Sequence, residues 1–158
     1  MRKDGTLTLL DNGASNTLEI EYEEGNFTFT PTKRQQVVLR DRGAITTVRK
    51  GDEDPIATGS FTVHFRQFTS TDAGGVIDFV NKTGHYASNV STGSSGTPFI
   101  EEYCIDIKYE VDGTQVGETG TYTATISKAV CNVSFTEGDA STINIEFTAY
   151  GSVTFTTV

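Results

Sequence analysis

Short runs in which apolar and polar residues alternate recur along the whole chain. Thr6–Leu10 and Thr17–Tyr22 are two such runs, separated by Asp11-Asn12-Gly13, and they predict a hairpin. In the second run Leu18, Ile20 and Tyr22 alternate with Glu19, Glu21 and Glu23, which predicts one buried face and one wet, acidic face. Phe27 and Phe29 alternate with Thr in the strand 26–30, which Pro31 ends. Gln36–Arg40 and Ile45–Arg49 flank Asp41-Arg42-Gly43 and predict a second hairpin. A loop over 50–59 leads from it into the strand Ser60–Phe68, where Phe61, Val63 and Phe65 share a face.

The period then changes. Val76, Phe79 and Val80 fall at i, i+3 and i+4, so a short helix over 72–82 is predicted, capped by Thr71 or Asp72 and stopped at Gly84. The Ser/Gly/Thr-rich stretch 87–98 is predicted to be an exposed loop. Alternation returns at Tyr103–Val111, with Cys104, Asp106, Lys108 and Glu110 on the polar side. It continues through Thr121–Phe135, Thr142–Tyr150 and Val153–Val158. Eight to ten strands and one short helix predict a mainly β chain. The expected fold is a single domain over 1–158, a β-sandwich or barrel with the helix plugging one opening.

Composition agrees, because β-branched residues are abundant and pack well on a pleated surface. Charge changes the picture more. The chain carries 12 basic and 21 acidic residues, a net charge of −9. Such a surface repels polyanions and speaks against a nucleic-acid or anionic-membrane binder. Six of the 12 basic residues nevertheless fall within 33–50: Lys33, Arg34, Arg40, Arg42, Arg49 and Lys50. With Asp41 the only acid there, that segment is +5 and the remainder −14. Three readings are open: a solvated hairpin, a nucleic-acid patch, or a positive arm complementary to the negative body of another copy. The segment has no aromatic for base stacking, which weakens the second. The third makes a heterologous contact, one that generates rings or open filaments. It uses the arm over about 33–58, with Arg40, Arg42, Arg49, Lys50 and the acidic Asp52, Glu53 and Asp54 as contact residues.

Catalytic chemistry is sparse. His64 and His85 have no cysteine or carboxylate beside them at ligand spacing, and Cys104 and Cys131 form no CxxC pair. Gly51–Pro55 clusters three acids without the alternating ligands of a calcium loop. No glycine-rich loop leads from a strand into a helix, so no nucleotide site is expected. No catalytic residue, cofactor or metal is expected. Four Asn-x-Ser/Thr sequons, at Asn26, Asn81, Asn89 and Asn132, are expected by chance in a Thr-rich chain. No apolar run of leader length follows Met1, so synthesis in the cytoplasm and no membrane segment are expected.

Residues 39–68, LRDRGAITTVRKGDEDPIATGSFTVHFRQF, combine a basic hairpin, an acidic turn with Pro55 and an alternating strand. This pattern, with the helix at 72–82 and the closing β run over 120–155, resembles the tail tube (major tail) proteins of long-tailed bacteriophages. The resemblance implies a virion protein made in the host cytoplasm, with six copies to a ring and rings stacked into a hollow tube. It implies that the segment 36–58 reaches into the adjacent ring. Tape-measure, terminator and baseplate or tip proteins would be partners, and DNA would pass through unbound. A ring of six such chains would carry −54, a wall suited to DNA ejection. Glu19, Glu21, Glu23, Asp106 and Glu110 are the candidate lumen residues. The alternatives are a carbohydrate-binding or adhesive β-sandwich, for which Tyr86 and Phe99 are the available loop aromatics, and the tube of a contractile or secretion-type system.

Overall fold

The computed structural model describes residues 5–13, 16–21, 24–64, 75–93, 102–138 and 141–158. Its strands in chain order are β1 (Thr6–Leu10), β2 (Thr17–Glu19), β3 (Thr28–Thr30), β4 (Gln36–Asp41) and β5 (Ala44–Lys50). They continue as β6 (Ala57–His64), β7 (Ile105–Asp112), β8 (Thr121–Thr136), β9 (Thr142–Ala149) and β10 (Val153–Thr157), with one α-helix among the described residues, α1 (Val76–Asn81), between β6 and β7. The chain is mainly β, as the alternation predicts. Residues 65–68 of the expected Ser60–Phe68 strand, the caps Thr71 and Asp72, and 94–98 of the expected loop lie outside the described residues.

Eight strands form one antiparallel sheet along the path β2-β1-β7-β8-β9-β6-β3, with β10 also on β8. The 16-residue β8 organises it. Its first half pairs with β7 on one edge and β10 on the other, and its second half pairs with β9. At the junction, Ser127 and Lys128 oppose the single residue Asp106, a β-bulge between the pairs Ile105–Ala129 and Ile107–Ile126. Lys128 takes a left-handed φ of 56° there, and its N–H donates to Asp106 Oδ1 at 3.0 Å. The bend lets the two halves of the sheet face one another. The sheet does not close: β2 and β3 end the path.

Both inner faces contribute to one core. Leu7, Leu9, Ile107 and Ile126 come from one half, and Phe61, Val63, Ile145 and Phe147 from the other, all at most 2% exposed. Each such side chain stabilises the fold by about 1.5–3 kcal/mol through removal from water. Aromatic rings bridge the halves: Phe27 stacks on Tyr109 at 4.9 Å and lies 6.2 Å from Phe147. Gly59 leaves room for the Phe147 ring, since a Cβ there would overlap it and the Thr28 carbonyl.

α1 fills the end of the core through Val76, Phe79 and Val80. It stops at Lys82, which adopts φ 56°, two residues before the expected stop at Gly84. Segment 87–93, within the expected exposed loop, is tied down at several points. Asn89 is 1% exposed and accepts from Asn16 Nδ2 (2.8 Å) while donating to Tyr103 Oη (3.0 Å). The Tyr103 hydroxyl in turn donates to the Phe79 carbonyl at 3.2 Å. Cys104, expected on the polar face, is buried because Ser91 and Thr92 fold over it.

Candidate self-assembly interface

Among the described residues β4 and β5 pair only with each other and stand apart from the main sheet. Their turn, Arg42-Gly43, has φ of 48° and 85°, the two positive angles that a tight hairpin matched to strand twist requires. Arg40 Nη1 donates to the Gly43 carbonyl at 3.3 Å and braces that turn. At the other end the Arg34 guanidinium meets the Asp54 carboxylate, and Gly51 N–H donates to the Gln35 carbonyl. The arm is thus a defined hairpin with a closed base.

Every residue of both strands is exposed. Among them are Val37, Val38, Leu39, Ile45 and Val48, with 39–58% of their surface in water. Val38 lies directly opposite Val48, and Ile45 opposite Arg40, across the pair. Apolar side chains therefore sit between the cations. Two strands with no core of their own are marginal in water, so the arm presents a surface suited to a partner. The clustered charges flag this segment in sequence. The exposure of its apolar residues is not visible in the sequence and appears only in the fold.

The expected contact charges divide into two groups. Arg40 and Asp54 are engaged within their own chain. Arg42, Arg49, Lys50, Asp52 and Glu53 are exposed around the hairpin and its base.

The acidic candidates also divide. Glu19, Asp106 and Glu110 lie on one face of the β2-β1-β7 half-sheet: Glu19 pairs with Thr8, Asp106 with Leu10 and Glu110 with Thr6. Glu110 Oε1 is 2.9 Å from Lys108 Nζ, and Asp106 accepts the bulge N–H of Lys128. Glu19 is exposed, Glu21 is exposed beyond the end of β2, and Glu23 lies outside the described residues. On the β8-β9-β6-β3 half, the outward face is polar and nearly uncharged. It carries Thr58, Ser60, Thr62, Asn132, Asn144 and Thr148 around Glu146.

Burial pushes the Cys131 thiol up to about 12 and the Cys104 thiol upward as well, so both stay neutral near pH 7. His64 Nε2 lies 3.5 Å from Glu24 Oε1. Among the described residues no three His, Cys, Asp or Glu side chains gather as metal ligands. Tyr86 is 4% exposed, its ring edge-on to Phe79 at 4.8 Å, and so offers no sugar platform. Phe99 lies outside the described residues.

Three solved structures share this fold. The first is from the sheath–tube complex of an extracellular contractile injection system, PVC, in its extended state, with TM-score 0.60 and 12% identity; the match covers 98% of this chain and 88% of that one. The second is from the sheath/tube terminator of the same system, with TM-score 0.55, 12% identity and 95% and 92% coverage. The third is from the anti-feeding prophage (AFP) baseplate, with TM-score 0.53, 10% identity and 99% and 94% coverage. No protein-family model matches the sequence, and no curated protein matches it. The likeness therefore lies in the fold, and it is to components of contractile injection systems rather than to long-tailed phage proteins specifically.

Proposed function

We propose that this chain is the tube-forming subunit of a tail-like injection particle, with no enzymatic role. The observation that carries the reading is the β4–β5 arm, exposed on both faces and lined with apolar residues, on a body that shares its fold with components of contractile injection systems. Six copies form a ring, the arm of each reaches into the adjacent ring, and rings stack into a hollow tube. A terminator and a baseplate cap its ends, a tape-measure protein occupies the bore during assembly, and a contractile sheath surrounds it. The body is net acidic, so a bore lined by Glu19, Glu21, Glu23, Asp106 and Glu110 gives a polyanion such as DNA few places to bind.

Apolar contact supplies most of the affinity in this reading, and the arm's cations set orientation and encounter rate. Negative-stain microscopy of the purified chain at rising concentration tests it. Rings or striated tubes are expected from the parent, and a folded, unstacked species from the charge reversal Arg42→Glu, Arg49→Glu, Lys50→Glu. A parent that stays monomeric at every concentration and salt condition contradicts the proposal.

A further inference from the structure

We infer that the surface receiving the arm is the apolar end of the β8–β10 pair, and that its occupant is the β4–β5 arm of a second copy of this chain. The inference rests on the tube reading above and names the contact within it. The inward face of the first half-sheet extends beyond the core. Leu7, Tyr109, Ala124 and Phe155 lie side by side across β1, β7, β8 and β10. Leu7 is buried and the Tyr109 ring is stacked on Phe27, whereas Phe155, at the far end of the row, is 66% exposed. In a neighbouring row Tyr122, paired with Val111 and Thr157, is 58% exposed. β10 pairs with β8 on one side and with no strand on the other among the described residues. A bare apolar face therefore adjoins an open strand edge, the setting in which an incoming strand gains backbone hydrogen bonds as well as apolar contact.

Charge selects the occupant. The turn that leads into β8, residues 112–120, has two charged residues, Asp112 and Glu118, both exposed and both acidic. Thr114 donates to Asp112 from its hydroxyl and its N–H, which holds that carboxyl below its usual range. The arm brings the opposite sign on Lys50, which shares the face of Val38, Ile45 and Val48, on Arg49, beside Val37 on the other face, and on Arg42 at the turn. Donor and acceptor are different surfaces carried by every copy. Their contact is heterologous and propagates instead of closing a dimer.

The test uses an acceptor variant, Tyr122→Ser with Phe155→Ser, and an arm variant, Val38→Ser with Val48→Ser, examined by sedimentation and negative-stain microscopy. Each alone is expected to keep the parent's circular dichroism and to need at least about tenfold more protein to form tubes. Mixed together they are expected to give short paired assemblies and no long tubes, because one intact arm and one intact acceptor remain per pair. An acceptor variant that forms tubes at the parent's concentration overturns this assignment and leaves the tube reading standing. A parent that never assembles overturns both. Should the acceptor variant misfold, Asp112→Lys with Glu118→Lys replaces it. Assembly is then expected to slow at least about tenfold at low salt and to recover when the arm carries Arg49→Glu and Lys50→Glu. The absence of both effects also overturns the assignment.

Discussion

Arg34 and Asp54, separated by 20 positions, form an ion pair across the base of the arm. Beside it, Gly51 donates to the Gln35 carbonyl, so the two chain segments entering and leaving the hairpin are joined at one level. Some of the charge that clusters in this segment therefore shapes the arm itself. What remains exposed on the arm is a set of apolar residues together with Arg42, Arg49 and Lys50.

Asp54→Asn should loosen this base without unfolding the body. The pair is exposed, and such pairs contribute about 0–1 kcal/mol. The melting temperature should fall by no more than about 4 °C in a chain of this size. Limited trypsin digestion, by contrast, should cut faster at Arg40, Arg42 or Arg49. A large loss of melting temperature would mean that the arm is part of the folding unit.

Assembled tubes should survive high salt. At 1 M the Debye length is about 3 Å, which screens the arm's cations but leaves apolar burial intact. Light scattering should show slower growth as salt rises, while sedimentation finds preformed tubes still pelleting. Tubes that dissolve on transfer to 1 M NaCl would show that ion pairs, and not Val38, Ile45 and Val48, hold the contact.

The core should be least tolerant at Gly59 and Phe147. Phe147→Ala removes a ring that is 2% exposed and lies near Phe29 and Phe61, which should cost about 3–5 kcal/mol. Gly59→Ala adds one methyl and should still cost about 1–3 kcal/mol, since that methyl meets both the Phe147 ring and the Thr28 carbonyl. Urea denaturation of the two variants measures both losses.

Stability should decline on the alkaline side. Cys104, Cys131, Tyr86 and Tyr103 all have raised pKa values, chiefly because burial disfavours their charged forms. A raised value stabilises the fold fully below the unfolded pKa and loses that contribution as pH climbs to the folded one. For Cys131 the window opens near 9.0 and closes near about 12. Denaturant midpoints should therefore fall from pH 9 upward. Native-state alkylation of Cys131 should also run far slower than that of an exposed thiol.

Strand positions were legible wherever alternation met a clear turn. Thr6–Leu10 occurs as read, and the hairpin about Arg42-Gly43 differs by one residue at the outer end of β4 and at each end of β5. Features that depend on distant partners were not legible. Asn89 sits in a Ser/Gly-rich segment, yet it is buried because Asn16, 73 positions away, and Tyr103 hydrogen-bond to it. Asp106 reads as a wet acid until the bulge places the Lys128 N–H against it. The arm was the reverse case. Val37, Val38, Leu39, Ile45 and Val48 are apolar residues on two strands, and nothing local shows that among the described residues no other strand pairs with them.

Electron cryomicroscopy of the concentrated, purified chain measures the central claim most directly, because it reports both the assembly and what each arm touches. The expected result is a hollow tube of stacked rings in which residues 36–50 of every copy lie against a copy in the next ring. A tube in which those residues project free into solvent, or a chain that stays monomeric throughout, would contradict the account.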